Sequence, residues 1–220
     1  MDEIGQEFDN SLKVNENKIL FYSHYNADNG VWEGRVCLFD SQNYSAENIA
    51  KFNEDYSTYQ VTTTQNKIFG IGAYRSFEIY DLNIRQISRG LINKSMNDRS
   101  KNFTGPDPPE WRAYASLAYF KDKLYYLGGE DPEIWKNTDQ VDVLIDGKWQ
   151  TGPTFPLPIE ETQTIICDET LYVIDGYTSQ KVYRLSEDER EWIEIGEIPE
   201  QRYSFGVVSL NGRIYITGGQ

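Results

Sequence analysis

Lys123-Leu124-Tyr125-Tyr126-Leu127-Gly128-Gly129 returns as Thr170-Leu171-Tyr172-Val173-Ile174-Asp175-Gly176. It returns again as Arg213-Ile214-Tyr215-Ile216-Thr217-Gly218-Gly219. Each copy is a short apolar strand with an aromatic at one place and a small-residue turn at its end. Tyr125, Tyr172 and Tyr215 stand 47 and then 43 residues apart. A strand-built repeat with a period of about 40–50 residues indicates a propeller or a related array. Two worn copies carry the pattern backwards, at Asn66-Lys67-Ile68-Phe69-Gly70-Ile71-Gly72 and Asn17-Lys18-Ile19-Leu20-Phe21-Tyr22. One column therefore reads Leu20, Phe69, Tyr125, Tyr172, Tyr215. It is bulky throughout, as expected where a side chain fills a gap between stacked sheets.

A second strand precedes each phrase, clearest at residues 114–119, 162–167 and 204–209. These are small and β-branched, which suits the crowded axis of a propeller and places them innermost. Lys121-Asp122, Asp168-Glu169 and Asn211-Gly212 read as the tight turns joining the two strands, Asn-Gly being the strongest such signal. A third strand follows at residues 35–40, 77–81, 141–145 and 181–185, and a fourth is marked by Trp149 and by Trp192-Ile193-Glu194-Ile195. Pro109, Pro156 and Pro199 fall in phase ahead of the inner strands. Arg112 and Arg202 follow two of them at equal distance, so these arginines are expected to serve the repeat itself. Only Ser45-Ala46-Glu47-Asn48-Ile49-Ala50-Lys51 admits a short helical turn.

This pattern resembles the kelch repeat, in which an apolar run ends in Gly-Gly, an aromatic-Asp pair follows, and a Trp comes later. Gly128-Gly129 and Gly218-Gly219 match in full, Asp175-Gly176 and Gly72-Ala73 in part. Tyr80-Asp81 and Phe39-Asp40 match the aromatic-Asp pair; Trp149 and Trp192 match the Trp, with Ile87 near that place in an earlier repeat. The resemblance covers about residues 12–219, strongly from 112 onward. It implies an all-β, kelch-type β-propeller of four-stranded antiparallel blades, about four full blades plus half of a fifth.

The expected organisation is an acidic tail over residues 1–11 and one propeller over 12–220, with repeats near 12–56, 57–90, 112–150, 160–198 and 202–220 and an insertion at 91–111. Kelch propellers of five to seven blades close by pairing their first and last, so either a fragment of a longer protein, the favoured expectation, or a small or open ring follows. An open blade edge would then offer a route to self-association.

The charge is −14, from 35 acidic and 21 basic residues. That balance argues against nucleic acid, whose phosphates draw basic proteins, and against anionic membranes. It favours a protein partner with a basic surface. No apolar stretch approaches a membrane span and the acidic N-terminus lacks the apolar core of a secretory signal, so a cytoplasmic location is expected. Cys37 and Cys167 are isolated and read as buried thiols. Three matches to the glycosylation sequon, at Asn43, Asn93 and Asn102, carry no weight without secretion.

Some kelch propellers are copper enzymes whose metal is held by histidines and tyrosines. This chain has one histidine, His24, so a two-histidine site is impossible. No cofactor, metal or catalytic residue is expected, and His24 is placed at a blade rim. Carboxylates are plentiful at Asp107, Glu160-Glu161 and Glu187-Asp188-Glu189, and a pair of them across a cleft could cleave a glycoside. The run Ser186–Arg190 reads more simply as a solvated turn. Phosphate-loop and nucleophile-elbow motifs are missing from the sequence.

The long connections all fall on one face of such a blade: roughly residues 24–34, 74–76, 91–111, 130–140, 150–161, 177–180 and 196–201. Long loops on a rigid scaffold are where recognition concentrates. Trp135 and Trp111 lie in or beside this group and outside the repeat's Trp column, which makes them the leading partner-binding candidates. Tyr177, Arg75, Tyr25 and Trp32 follow. The expected function is a non-catalytic protein–protein interaction module, an adaptor or scaffold. The alternative is a propeller enzyme acting on a carbohydrate or small molecule through carboxylates and Tyr, not dependent on copper.

Overall fold

In a computed structural model, the structure describes residues 10–15, 18–26, 32–53, 60–63, 67–72, 76–81, 86–91 and 106–220, with side chains over 37–47, at 62, 69 and 70, and over 106–220. The chain divides into two compact units, the first holding eight strands and the second holding residues 106–220.

In the first unit β1 (Asn10–Asn15), β2 (Lys18–Asn26), β3 (Trp32–Asp40) and β4 (Ser45–Asn53) form an antiparallel meander. A second four-stranded sheet runs in chain order through β5 (Gln60–Thr63), β6 (Lys67–Gly72), β7 (Ser76–Asp81) and β8 (Gln86–Leu91). Two expectations are corrected here. The segment 45–51 is strand, not helical turn. Its Ala and Glu favour a helix, but a helix this short is marginal alone, and pairing with β3 from Asp40↔Ser45 to Glu33↔Asn53 decides the outcome. Turn residues Asp40 and Asn43 accept hydrogen bonds from the backbone of Gln42 and Ser45 and set that hairpin. Residues 24–34 are not all loop either. The β2–β3 ladder continues through His24↔Gly34 and Tyr25↔Glu33 to Asn26↔Trp32, because strand-favouring aromatics extend the pairing.

In the second unit β9 (Ser116–Phe120), β10 (Lys123–Leu127), β13 (Val141–Ile145) and β14 (Lys148–Thr151) form one sheet. A two-stranded hairpin, β11 (Glu130–Asp131) and β12 (Lys136–Asn137), interrupts the connection between β10 and β13. The next sheet is β15 (Gln163–Cys167), β16 (Thr170–Ile174), β17 (Lys181–Leu185) and β18 (Trp192–Glu197). The hairpin of β19 (Phe205–Leu210) and β20 (Arg213–Gly218) follows. These are called blade 3, blade 4 and hairpin 5. Among the described residues there are four four-stranded sheets, as the repeat predicts.

The predicted turns are all present, with both central residues in the left-handed region. Lys121 and Asp122 have φ of 47° and 60°, Asp168 and Glu169 46° and 58°, Asn211 and Gly212 51° and 70°. This is the turn whose twist matches antiparallel strands. Asp146-Gly147, at 48° and 74°, joins β13 to β14 in the same way. Asp-Gly is a sequence signal for that turn.

The main core lies between blades 3 and 4. Ala118, Tyr125, Leu127, Val141 and Val143 face Leu171, Val173, Tyr183 and Leu185. Each Val and Leu among them contributes about 1.5–3 kcal/mol on burial. Phe155, from the connection between the blades, is wedged edge-on against Tyr183 at 4.7 Å and against Trp192 at 5.2 Å. The two column tryptophans do the same job twice. Trp149 Nε1 donates to the Pro106 carbonyl at 2.6 Å and Trp192 Nε1 to that of Pro153 at 2.9 Å. Each thus ties the last strand of its blade to the segment that leads into it. The inner strands are joined across blades by Thr164 Oγ1, which donates to Leu117 O at 2.6 Å. A smaller core packs Ile174, Ile198 and Ile165 against Phe205, Val207 and Ile216 of hairpin 5. The aromatic column faces the following sheet, so its burial varies. Tyr125 is fully buried, Tyr172 is half-buried, and Tyr215 is exposed beside Val208 and Leu210.

Arg112 serves the framework. It is buried, donates to Asp142 Oδ2 at 2.9 Å and to the Tyr126 carbonyl at 3.1 Å, and sits 4.2 Å over the Tyr126 ring. The Tyr126 hydroxyl in turn bonds the Arg112 backbone, and burial raises that hydroxyl to about 12. Arg202 repeats part of the arrangement on hairpin 5, donating to Gly218 O at 3.1 Å.

Candidate partner-binding face

Two sets of segments emerge at the same end of blades 3 and 4: the connections from second to third strand, and the segments leading into each inner strand. Backbone hydrogen bonds stitch them together. Ala113 and Glu130 exchange two bonds of 2.8 Å, Gly129 N donates to Ile159 O at 2.7 Å, and Arg202 N donates to Gly176 O at 2.9 Å. Gly129, at φ +92°, has to be glycine, because a Cβ there would lie 2.6 Å from the Ala113 carbonyl. Tyr114, Glu161 and Ser204, at φ 53°, 50° and 54°, mark the same left-handed kink into each inner strand. The end therefore consists of loops with fixed roots.

The longest of these connections carries the hairpin β11–β12. Asp131 Oδ1 accepts from the Glu133 N–H at 2.8 Å and the Asp131 carbonyl accepts from the Trp135 N–H at 2.9 Å, closing the tip. Ile134 and Trp135 occupy that tip, 65% and 75% exposed. Trp135 has φ +53°, a conformation that a bulky side chain seldom adopts. It is the last residue of the loop joining β11 to β12, as Tyr44 at φ 56° is of the loop joining β3 to β4.

The other sequence candidates fall in different places. Trp111 is half-buried next to Arg112. Tyr177 is exposed on the blade 4 connection, edge-on to Tyr203 at 6.2 Å, and its carbonyl accepts from Gln201 Nε2. Tyr25 and Trp32 stand in β2 and β3 and not in a loop; their side chains, and Arg75 altogether, lie outside the described residues. Sequence reasoning missed Ile134 and Tyr203. Ile134 could have been found as Trp135's neighbour in a segment that breaks the period.

The electrostatics of the hairpin and its base are one-sided. Glu130, Asp131 and Glu133 on the hairpin stand with Glu160 and Glu161 at its base, and none of the five forms an ion pair among the described residues. Asn137 Nδ2 donates to Glu160 Oε1 at 2.7 Å. Burial, then the neighbouring Glu160 charge, raises the carboxyls of both Glu130 and Glu161. Blade 4 shows the opposite economy. Asp175, fully buried, accepts from Thr178 N at 2.9 Å and from Ser179 Oγ at 2.6 Å, so its carboxylate is consumed within its own loop.

The opposite end of the blades corrects another expectation. Within the run 186–190, Glu187 and Asp188 are exposed, but Glu189 reaches across to blade 3. Its carboxylate accepts from Lys123 Nζ and, at 2.7 Å, from the Tyr125 hydroxyl, with Lys121 3.4 Å away. Burial alone would raise this carboxyl; the bonds from Lys123 and Tyr125 outweigh it and hold it below the ordinary value. Burial and the bond to Glu189 push the Tyr125 hydroxyl well up. This turn is an inter-blade clip. Among the described residues no group of three or more His, Cys, Asp or Glu is placed to hold a metal ion.

No protein-family model matches the chain. Curated proteins do. Kelch repeat and BTB domain-containing protein 12 of Danio rerio is 24% identical over 176 residues, which is 72% of this chain and 28% of that protein. Kelch-like protein 35 of Mus musculus is 22% identical over 188 residues, 84% of this chain and 31% of that protein. A kelch domain-containing protein of Saccharolobus solfataricus is 28% identical over 71 residues, 32% of this chain and 9% of that protein. The chain thus spans less than a third of the length of these relatives. Among solved structures, the one titled "Structure of YjhT" superposes with a TM-score of 0.66 at 13% identity, over 96% of this chain and 76% of that one. The chain is similar to kelch-repeat proteins, and its fold is the kelch-type β-propeller fold of four-stranded antiparallel blades.

Proposed function

We propose that this chain is a non-catalytic protein-interaction module that engages a protein partner through the connections at one end of its blades. The carrying observation is the hairpin β11–β12, which holds Ile134 and Trp135 out in solvent on a frame closed by backbone bonds. Exposed aromatics on rigid roots lose little entropy when bound, and such residues supply most of the energy of typical interfaces. Tyr177 and Tyr203 extend the same end. Similarity to proteins named for kelch repeats and BTB domains supports the reading.

Quantitative affinity capture tests it, comparing the wild-type chain with Trp135→Ala and Tyr177→Ala. Both side chains are exposed, so the fold should survive both changes. A partner recovered with the wild type and lost with either variant is the expected result. A partner retained in full by both places recognition elsewhere. Glu130, Glu160 and Glu161 are also what a carboxylate-based enzyme would use, so turnover of a glycoside by the purified chain would replace this reading with the enzymatic one.

A further inference from the structure

We infer that the β11–β12 hairpin is a receptor for a cationic segment of a protein partner, one carrying Arg or Lys next to an apolar residue. The inference rests on the interaction-module reading and specifies the chemistry of its partner.

Shape comes first. Ile134 and Trp135 make an apolar tip that the fold leaves uncovered. An indole face accepts a guanidinium or ammonium better than any other side chain does. Charge comes second, and independently. Five carboxylates surround the tip and its base, against the single ammonium of Lys136 in the hairpin, and none of them has an ion-pair partner among the described residues. The contrast with Glu189 and Asp175 is informative, because there the fold supplies donors to each carboxylate. At the hairpin it crowds Glu130, Glu160 and Glu161 and supplies one neutral amide. An approaching cation relieves that crowding, whereas an acidic or purely apolar segment does not.

Selection from a random twelve-residue peptide display library on the full chain, at about 50 mM salt, tests this. The expected outcome is enrichment of sequences with two or more Arg or Lys beside an apolar residue. The selected peptide should weaken roughly tenfold or more on Trp135→Gly and severalfold on Glu133→Lys, with a further fall at about 300 mM salt. Trp135→Gly should not lower the melting temperature, so lost binding cannot be put down to unfolding. Neutral or acidic winners, indifference to Trp135→Gly, or a library that yields no binder each overturns the inference. Winners of any charge that depend instead on Tyr177 and Tyr203 overturn it as well, but leave the interaction-module reading standing.

Discussion

The Glu189 turn and the β11–β12 hairpin, at opposite ends of blades 3 and 4, treat charge in opposite ways. At the end with the tight turns, Glu189 is clasped by Lys121, Lys123 and Tyr125 from the neighbouring blade. At the β11–β12 hairpin and its base, Glu130, Asp131, Glu133, Glu160 and Glu161 form no ion pair among the described residues, and Trp135 is uncovered. Strands, period and core are common to both. What differs is that the Glu189 turn draws cations from the neighbouring blade, while the hairpin keeps acidic groups with no ion pair among the described residues and an unburied aromatic tip. The contrast is local to these two features, and the proposed partner-binding role rests on it.

The largest effect is expected from undermining the roots of the loop end. Asp142→Ala would strand the buried guanidinium of Arg112, whose Nε already has no hydrogen-bond partner. Breaking such a pair costs about 3–5 kcal/mol, and denaturant unfolding should show it. A loss under about 1 kcal/mol would mean that Arg112 finds water and that the roots are softer than described.

An intermediate effect is expected at the turn end. The Glu189 carboxyl is depressed in the folded protein, so its contribution is present at neutral pH and is lost as pH falls below the ordinary value of 4.5 through the lowered one. Glu189→Gln should lower the melting temperature at pH 7 and shrink the acid-induced loss of stability. Equal melting curves for the two proteins at pH 7 would remove the clip.

The smallest effect, opposite in sign, belongs to the loop end. The Glu161 carboxyl is raised, so its ionisation weighs against folding above its folded value and matters little once both states are protonated. Glu161→Gln should raise the melting temperature slightly at pH 7 and leave it unchanged near pH 3. A drop at pH 7 would show that this carboxylate is satisfied after all, and the contrast between the two ends would weaken.

Much of the fold was legible because the repeat writes it several times. The column tryptophans, the Gly-Gly and the Asn-Gly turn each appear where a period of strands demands them. The misreadings fell where local preference and tertiary pairing disagree. Residues 45–51 carry helix-forming Ala and Glu yet pair along β3, and residues 24–34 look like a loop yet prolong the β2–β3 ladder. Of the candidate site, Trp135 was visible as an aromatic out of phase with the repeat. Trp111 looked equivalent in sequence and is half-buried beside the Arg112 framework.

By itself the sequence determined the repeat, the strand order within each blade, the turn chemistry and the acidic balance. These depend on neighbours a few residues away and on total charge. Only the tertiary structure decided which carboxylates are spent and which remain. Glu160-Glu161 and Glu187-Asp188-Glu189 read alike as acidic runs. Whether a charge is met depends on donors brought from another blade, such as Lys123, 66 residues before Glu189. Spacing within the run holds no record of that distance.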